Sequence, residues 1–259
     1  MYKDSRDVLI AMAIKFSGNW EQMYRAIERR EYPEEKYFQC IPYLKCKTLT
    51  ILDPDYPTFL NVVHHPPLVL FYYGDLSTIQ DYYKNVSIVG SRECTEYGVN
   101  ATVKITKGLV EHGYTIISGM ASGIDAVAHR TCIENGGKTV AILGSGIDVC
   151  FPPDNQELYN EIKTNHLLIS EYPGLTTPHA SHFPIRNRII AGLSKTVVVT
   201  EAYPMSGSLI TAGLAISMNS DVMCVPYQVG SNSACNRLIM SGALLVESAE
   251  DVISQMSKF

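Results

Sequence analysis

The sequence predicts an α/β protein with a doubly wound, Rossmann-like domain, whose sheet is parallel or mixed, and a small helical domain before it. Three observations predict this fold. After about Gln80, short runs rich in β-branched residues alternate with segments of helical periodicity, the order expected of strands joined by crossover helices. These runs are apolar throughout, which is typical of parallel strands covered on both faces. Before Arg30, apolar residues recur at helical spacing instead.

The chain divides by composition into three segments. Residues 1–50 are predicted to form the helical domain, because Val8, Met12 and Phe16 fall on one face of a helix and "SGN" separates it from a second helix. Residues 51–79 are a connector rich in prolines, which exclude a long helix, and "PLVLFYY" within it is predicted to be a strand packed on the next domain. Residues 80–259 form the Rossmann-like domain.

Seven strands and six helices are expected after residue 80. The strands are "VSIVG", "YTIIS", "KTVAILG", "HLLIS", "KTVVVT", "DVMCVP" and "ALLV". The helices lie near 97–112, 123–135, 155–164, 186–193, 207–218 and 234–241. Ligands of such sheets bind at the carboxyl ends of the strands, so the residues that follow each strand are the candidates for function.

Composition excludes several classes of protein. The apolar runs are far shorter than the roughly 20 residues that a membrane-spanning helix needs, and the acidic N-terminal residues do not fit a secretory signal. The seven cysteines are scattered without a C-x-x-C pair. We therefore expect a cytoplasmic protein with reduced thiols, no membrane association and no metal site.

Four strand ends carry glycine and serine before the next helix: "VGSR", "SGMASGID", "GSGID" and "MSGSLITAG". Such turns let backbone N–H groups approach an anion at a helix N-terminus, where the helix dipole favours negative charge. Neither a G-x-G-x-x-G fingerprint with its later acidic residue nor a G-x-x-x-x-G-K-[ST] loop is present. The turns predict a phosphate-binding floor that requires no nucleotide cofactor.

Three arginines share this edge of the predicted sheet. Arg92 follows the first strand of the domain, and Arg186 and Arg188 lie at the predicted start of a helix. A guanidinium group can donate two parallel hydrogen bonds to a phosphate, so the three arginines favour a polyphosphate chain, that is, a nucleic acid. Alternatively, Arg186 and Arg188 pair with Glu171 or Glu201, which also follow strands, and only fix the loop.

Two further interpretations concern catalysis. Asp125 and His129 are four residues apart on one helix face and could act as an acid–base or metal pair. Alternatively, Asp125 caps the helix and His129 packs beneath the crevice. Glu171 and Glu201 could serve as paired carboxylates of a phosphoribohydrolase-like enzyme that acts on a nucleotide. The P-G-G-x-G-T-x-x-E pattern of that group is missing, so these carboxylates are expected to orient Arg186 and Arg188, and we assign no catalytic residue.

Six stretches, in order, closely resemble the DNA-processing protein A (DprA/Smf) family: "VSIVGSR", "ISGMASGIDAVAHR", "KTVAILGSGIDVCFP", "LISEYP", "HFPIRNRIIAGLS" and "EAYPMSGSLITA". The resemblance implies a protein of natural transformation that binds and protects incoming single-stranded DNA, forms a homodimer and loads the recombinase RecA. It also implies a protein that is not an enzyme, and it suggests that the N-terminal module is similar to a sterile-alpha-motif domain. The positions that it implies for DNA and phosphate binding are Gly90, Ser91, Arg92, Gly119, Gly123, Arg186, Asn187, Arg188, Ser206, Gly207 and Ser208.

The sequence departs from the family where relatives often carry a lysine or arginine, at Ser122, Pro153, Ala180 and Met205. From residue 80 onward there are 12 Lys and Arg against 16 Asp and Glu. A protein that neutralises fewer phosphates releases fewer counterions. The expected binding is therefore weaker and less dependent on salt.

Aromatic and apolar residues add two expectations. Bases could stack on Tyr172 or Phe183, or on Tyr203, although each of these also fits the core. Leu238, Ile239 and Met240 are predicted to leave an apolar patch for the homodimer contact and an overlapping RecA surface, unless the terminal helix "AEDVISQM" covers them.

Overall fold

A computed structural model describes residues 4–256 of the chain. Its strands are β1 (Lys47–Thr50), β2 (Val69–Tyr73), β3 (Asn85–Gly90), β4 (Thr115–Ser118), β5 (Thr139–Gly146), β6 (Leu167–Tyr172), β7 (Thr196–Glu201), β8 (Asp221–Cys224) and β9 (Leu244–Leu245). Its α-helices are α1 (Ser5–Lys15), α2 (Trp20–Glu28), α3 (Glu35–Cys40), α4 (Glu96–Glu111), α5 (Ile124–Glu134), α6 (Gln156–Asn165), α7 (His182–Gly192), α8 (Gly207–Ser217), α9 (Ala234–Met240) and α10 (Ala249–Met256).

The nine strands form one sheet in the order β1-β2-β6-β5-β4-β3-β7-β8-β9. Strand β2 runs antiparallel to both of its neighbours, and all other pairs are parallel. The predicted α/β fold with a mixed sheet is confirmed. The strand order reverses at the β3–β7 pair, which makes their carboxyl ends the switch point at which ligands of doubly wound sheets bind.

The side chains of successive strand residues point to opposite faces of the sheet, as the pleat requires. Val197 and Val199 of β7 pack in one cluster with the apolar face of α7 and with α8. Val198, between them, packs in another cluster with α4, α5 and α10. The apolar runs that predicted a buried sheet are therefore used on both sides.

The N-terminal helices are attached to the sheet at its antiparallel end. Ile10 and Met12 of α1 share a core cluster with Phe71 of β2. Arg6 donates to Asp53 with an Nε–Oδ1 distance of 3.0 Å. Strand β1 lies within the predicted helical segment 1–50, and β2, the expected strand of the connector, is part of the same sheet. The division at residues 50 and 79 stays a prediction.

None of the helices within residues 4–256 is both long and apolar enough to cross a membrane.

Candidate nucleic-acid interface

A cavity of about 670 Å³ opens at the carboxyl ends of β3 and β7, at the switch point of the sheet. Its walls include the turn after β3, the first turns of α7 and the turn into α8, together with Ala121 and Asp125 after β4, Phe151 and the loop 178–180. Of the eleven residues predicted for DNA and phosphate binding, eight line it: Gly90, Ser91, Arg92, Arg186, Asn187, Ser206, Gly207 and Ser208. The other three, Gly119, Gly123 and Arg188, lie outside that lining.

The turn after β3 is fixed by backbone contacts to its neighbours. Ser91 donates its N–H to the carbonyl of Glu201 at 2.8 Å, and its hydroxyl donates to the carbonyl of Glu93 at 2.9 Å. A Cβ at Gly90 would lie 2.5 Å from Ile124 Cγ1, so only glycine fits there. The turn directs Arg92 outward, where its side chain is exposed and its guanidinium carbon lies 5.5 Å from the centroid of the Phe183 ring.

The turn into α8 presents a helix N-terminus to the cavity. Ser206 is the N-cap residue, but it makes no side-chain capping hydrogen bond, and its hydroxyl contacts that of Ser208 at 2.8 Å instead. The first N–H groups of a helix have no partner within it. A Cβ at Gly207 would meet no atom within 4 Å, so the backbone here is open to a ligand. Asn187 steadies the turn by donating to the carbonyl of Gly207 at 3.2 Å.

The turn between β4 and α5 carries its own anion. The N–H groups of Gly119 and Ala121 donate to Asp125 Oδ2 at 3.2 and 3.4 Å. Burial raises the pKa of Asp125, and the positive charge of Arg186 opposes that effect. Gly123 has φ of +75° and is the N-cap residue of α5, so its place in the motif is conformational. The carboxylate of Asp125 therefore accepts the backbone hydrogen bond at Gly119 that a phosphate was expected to accept.

Arg186 lines the buried end of the cavity rather than its mouth. It is 4% exposed and donates through Nη1 to the carbonyls of Gly119 and Ile142. Its Nε donates to Asn187 Oδ1 at 3.2 Å. Burial lowers the pKa of Arg186 to about 10, against the effect of Asp125, so the side chain stays protonated at neutral pH. Arg186 thus links β4, β5 and α7 at the buried end of the cavity.

Arg188 forms the ion pair that the sequence analysis offered as the alternative to phosphate contact. Its Nη1 and Nη2 donate to the two carboxylate oxygens of Glu171 at 2.7 and 2.6 Å, and both side chains are 5% exposed. Its Nε donates to the carbonyl of His65 at 2.9 Å. Burial opposes the charge of Arg188, but the adjacent carboxylate more than offsets this, and the pKa is raised. The expected phosphate contact by Arg188 does not fit this geometry.

Glu201 does not pair with either arginine. It accepts from the N–H of Thr95 at 2.9 Å and from the hydroxyl of Tyr203 at 2.7 Å. Both Glu171 and Glu201 are buried and outside the cavity lining. Their carboxylates are therefore not placed to act together on a nucleotide in this cavity.

The third glycine-rich stretch, "GSGID", does not form a helix N-terminus. It extends β5, and its N–H groups are used: Gly146 donates to Thr176 and Asp148 to Gly174, at 2.8 and 3.0 Å. His129, the candidate acid or base beside Asp125, is fully buried with Nδ1 2.6 Å from the hydroxyl of Thr139. Burial lowers the pKa of His129 to about 3, so it is a neutral packed residue at pH 7.

A model of the family described as "DNA recombination-mediator protein A" matches residues 47–257. The chain belongs to this family. The DNA processing protein DprA of Streptococcus pneumoniae (strain ATCC BAA-255 / R6) is 41% identical over 229 residues, which cover 85% of this chain and 80% of that protein. A crystal structure of the S. pneumoniae DprA superposes with a TM-score of 0.83 at 33% identity and covers 98% of both chains.

A second solved member is DprA of Helicobacter pylori, whose structure is described as showing a single-stranded DNA binding mode. It matches with a TM-score of 0.75 at 27% identity, over 83% of this chain and 97% of that one. The resemblance found in the sequence motifs is thus confirmed.

Aromatic side chains form one wall of the cavity. Phe183 and Phe151 lie with ring centroids 5.5 Å apart, and Tyr203 is also in the lining. Tyr172 is buried on the other side of α7, stacked on His182. Sequence reasoning missed Phe151, although a phenylalanine before two prolines, outside any predicted helix or strand, is a signal for an exposed ring.

The predicted interface residues differ in exposure. Met240 is 88% exposed, whereas Leu238 and Ile239 are half-buried against the core cluster that α8 shares with the sheet. The terminal helix α10 packs on α4, where Ala249 lies against Gly108. The apolar surface near α9 is therefore smaller than the sequence indicated and centres on Met240.

Within residues 4–256, no cluster of three or more His, Cys, Asp or Glu side chains could hold a metal ion.

Proposed function

We propose that the cavity binds single-stranded DNA, with phosphates at the turn after β3 and at the N-terminus of α8. One observation carries the proposal. An exposed arginine, uncapped helix N–H groups and an accessible phenylalanine face a single cavity at the switch point of the sheet. Phosphate oxygens suit the first two groups, and a base can stack on Phe183. The H. pylori relative, described as binding single-stranded DNA, supports it.

In this proposal the residues of the "FPIRNR" motif have separate roles. Phe183 is the stacking surface, and Asn187 holds the α8 turn in place. Arg186 and Arg188 hold α7 against the sheet, because their guanidinium groups are already hydrogen-bonded within the protein. Direct phosphate contacts then fall to Arg92, Ser91, Gly207 and Ser208.

The biological role that we propose is that of a mediator of recombination during natural transformation, acting in the cytoplasm. The protein would protect incoming single strands as a homodimer and load RecA onto them. It would do so without an enzymatic step, nucleotide or metal. The serine hydroxyls that line the cavity contact a backbone carbonyl or each other rather than a histidine or carboxylate base, which supports this part of the proposal. The family description, a DNA recombination mediator, supports this role.

The test is a titration of fluorescently labelled single-stranded and duplex oligonucleotides at several salt concentrations, with wild-type protein and Arg92→Ala. Because each phosphate contact to a single strand contributes about 0.7 to the slope of log K against log salt, Arg92→Ala should lower the slope by about that amount. Arg130, exposed near the end of α5 and outside the cavity lining, provides the matched control.

Arg130→Ala should leave both affinity and slope near the wild-type values. Equal losses in the two variants would indicate a general charge effect and would count against the cavity. The absence of any binding of single strands by the folded wild-type protein would reject the proposed function itself.

A further inference from the structure

A second cavity, of about 470 Å³, lies between the N-terminal helices and the start of α7. Thirteen residues line it, and five of them are aromatic or imidazole: Trp20, His64, His65, Tyr172 and His182. The proposed phosphate contacts do not account for these rings.

One wall belongs to a ladder of four rings, of which Tyr24, Trp20 and His65 are stacked and His64 is tilted by 36° on His65. Tyr24 continues the ladder outside the cavity lining. Tyr24 and Trp20 have centroids 4.8 Å apart, Trp20 and His65 are 4.0 Å apart, and His64 lies 3.8 Å beyond His65. Trp20 Nε1 donates to the carbonyl of Pro66 at 2.7 Å, which fixes the ladder to the loop before β2. His64 is exposed at the free end of the ladder.

The loop that carries the ladder is held in an uncommon conformation. His65 has φ of +57°, in the left-handed region that non-glycine residues seldom adopt. Its carbonyl accepts from Arg188 Nε at 2.9 Å, so the buried ion pair below the cavity holds this residue. Backbone strain that the surrounding structure maintains is more frequent at ligand sites than elsewhere.

The opposite wall is a second ring stack, with Tyr172 and His182 4.0 Å apart and 16° from parallel. Together the two walls present the exposed ring of His64, the edges of the stacked rings and imidazole nitrogens, which can donate or accept hydrogen bonds.

The charges that line the cavity are already paired. Arg188 is bound by Glu171, and Glu21 lies 3.4 Å from Arg25. Desolvation lowers the pKa of His65 and of His182, so both imidazoles are neutral at pH 7. A site with stacked rings, neutral hydrogen-bonding edges and no unpaired cation suits a nucleobase better than a phosphate.

The two cavities adjoin, because Pro184 in the first turn of α7 lines both of them. A strand whose phosphates lie at Arg92 and Gly207 would therefore pass the mouth of the second cavity. We propose that the second cavity receives a nucleobase of the same single strand, which rests on the proposed function of the first cavity.

The chain provides its own reporter for this site, since Trp20 is its single tryptophan. Oligo-dT strands of increasing length, from about four nucleotides upward, would be followed in two ways. The anisotropy of a label on the DNA measures binding to any part of the protein, whereas Trp20 emission changes only when a ligand enters the second cavity. We expect the shortest bound strands to leave the emission unchanged and longer strands to change it, with the same midpoint as the anisotropy.

Variants then assign the effect to the ring walls. His64→Ala and His182→Ala should each weaken binding of the long strands by about fivefold or more, the loss of one stacked base, and leave the shortest strands unaffected. His112→Ala removes an exposed imidazole at the end of α4 and should change neither. Circular dichroism and thermal midpoints would verify that all three variants fold.

The outcomes separate the two proposals. Anisotropy that rises at every length while tryptophan emission stays constant would overturn the nucleobase site and leave the first cavity intact. Wild-type affinity of both histidine variants for long strands would also overturn it. No anisotropy change at any length would reject the proposed function instead.

Discussion

The buried pair Arg188–Glu171 allows a direct test of whether the second arginine of the motif supports the fold or touches DNA. The pair has two short hydrogen bonds, 2.6 and 2.7 Å, and both side chains are 5% exposed. Removing one member of such a pair leaves the other charge buried without compensation, which typically costs about 3–5 kcal/mol. We therefore expect Glu171→Gln and Arg188→Met to destabilise the protein strongly.

The magnitude of each single change can be refined from the remaining contacts. After Glu171→Gln, Arg188 keeps the carbonyls of His65 and Ile185 as acceptors, which places the loss near 3 kcal/mol, the lower end of the range. After Arg188→Met, those two carbonyls lose a donor and the carboxylate loses its cation, so a loss near 5 kcal/mol is expected. For a chain of this size, these losses lower the melting temperature by about 6–20 °C.

The double variant, Glu171→Gln with Arg188→Met, removes both charges. It should recover part of the loss, with a coupling energy of about 2–3 kcal/mol measured by urea denaturation of the four proteins. Because Arg188 lies outside the first cavity, the folded double variant should keep the wild-type salt slope for single-stranded DNA. A coupling energy below about 0.5 kcal/mol, or a slope reduced by about 0.7, would refute the structural role.

Three further predictions concern the first cavity and the surface near α9. Gly207→Ala adds a methyl group in open space at the α8 N-terminus, so the free energy of unfolding should change by less than about 1 kcal/mol. DNA affinity should fall about tenfold, as expected for one lost hydrogen bond to a phosphate. The control Gly213→Ala, equally unobstructed on the same helix, should leave the affinity unchanged. Ala180→Lys adds a cation to the cavity wall and should raise the affinity for single-stranded DNA and steepen the salt slope by about 0.7. The control Val229→Lys, on the fully exposed loop after β8, should change neither quantity. Met240→Glu, at an 88% exposed site, should convert the proposed homodimer into a folded monomer, with the mass measured by light scattering. A dimer of unchanged mass would rule out the surface near α9 as the dimer contact.

Most of the sheet could be predicted from the sequence, because a strand buried on both faces must be apolar throughout. The run "TVVVT" has this property and forms β7. Strand β1 was missed, since "KTLT" is short and contacts the sheet only through β2 at its edge. Helix α3, with six residues, gives too few turns for a periodic pattern. The local sequence specifies such short elements only weakly, and packing against their neighbours in the fold determines whether they form a strand or a helix.

The position of the first cavity could be predicted from the sequence, but the contacts of its charged groups could not. Strand ends located the cavity, because the fold brings carboxyl ends to one edge. The partner of Arg188 was not determined, since Glu171 is 17 residues away in the sequence and meets it only when α7 packs on the sheet. Gly119 and Asp125 are only six residues apart, and an aspartate that follows a glycine turn so closely is a signal that the turn carries its own acceptor.

The placement of the arginines bears on how a chain with a formal net charge of −5 could bind a polyanion. Of the two arginines that line the first cavity, Arg186 is buried and hydrogen-bonded within the protein, and only Arg92 is exposed, so about one phosphate would be neutralised by an arginine. With a slope of about 0.7 per phosphate, a fourfold rise in salt weakens binding by only about 2.6-fold for each contact. Affinity that depends little on counterion release must come from backbone N–H groups and from stacked bases, which salt hardly affects. This is the physical reason that Phe183, and the ring walls of the second cavity, would matter more here than added charge.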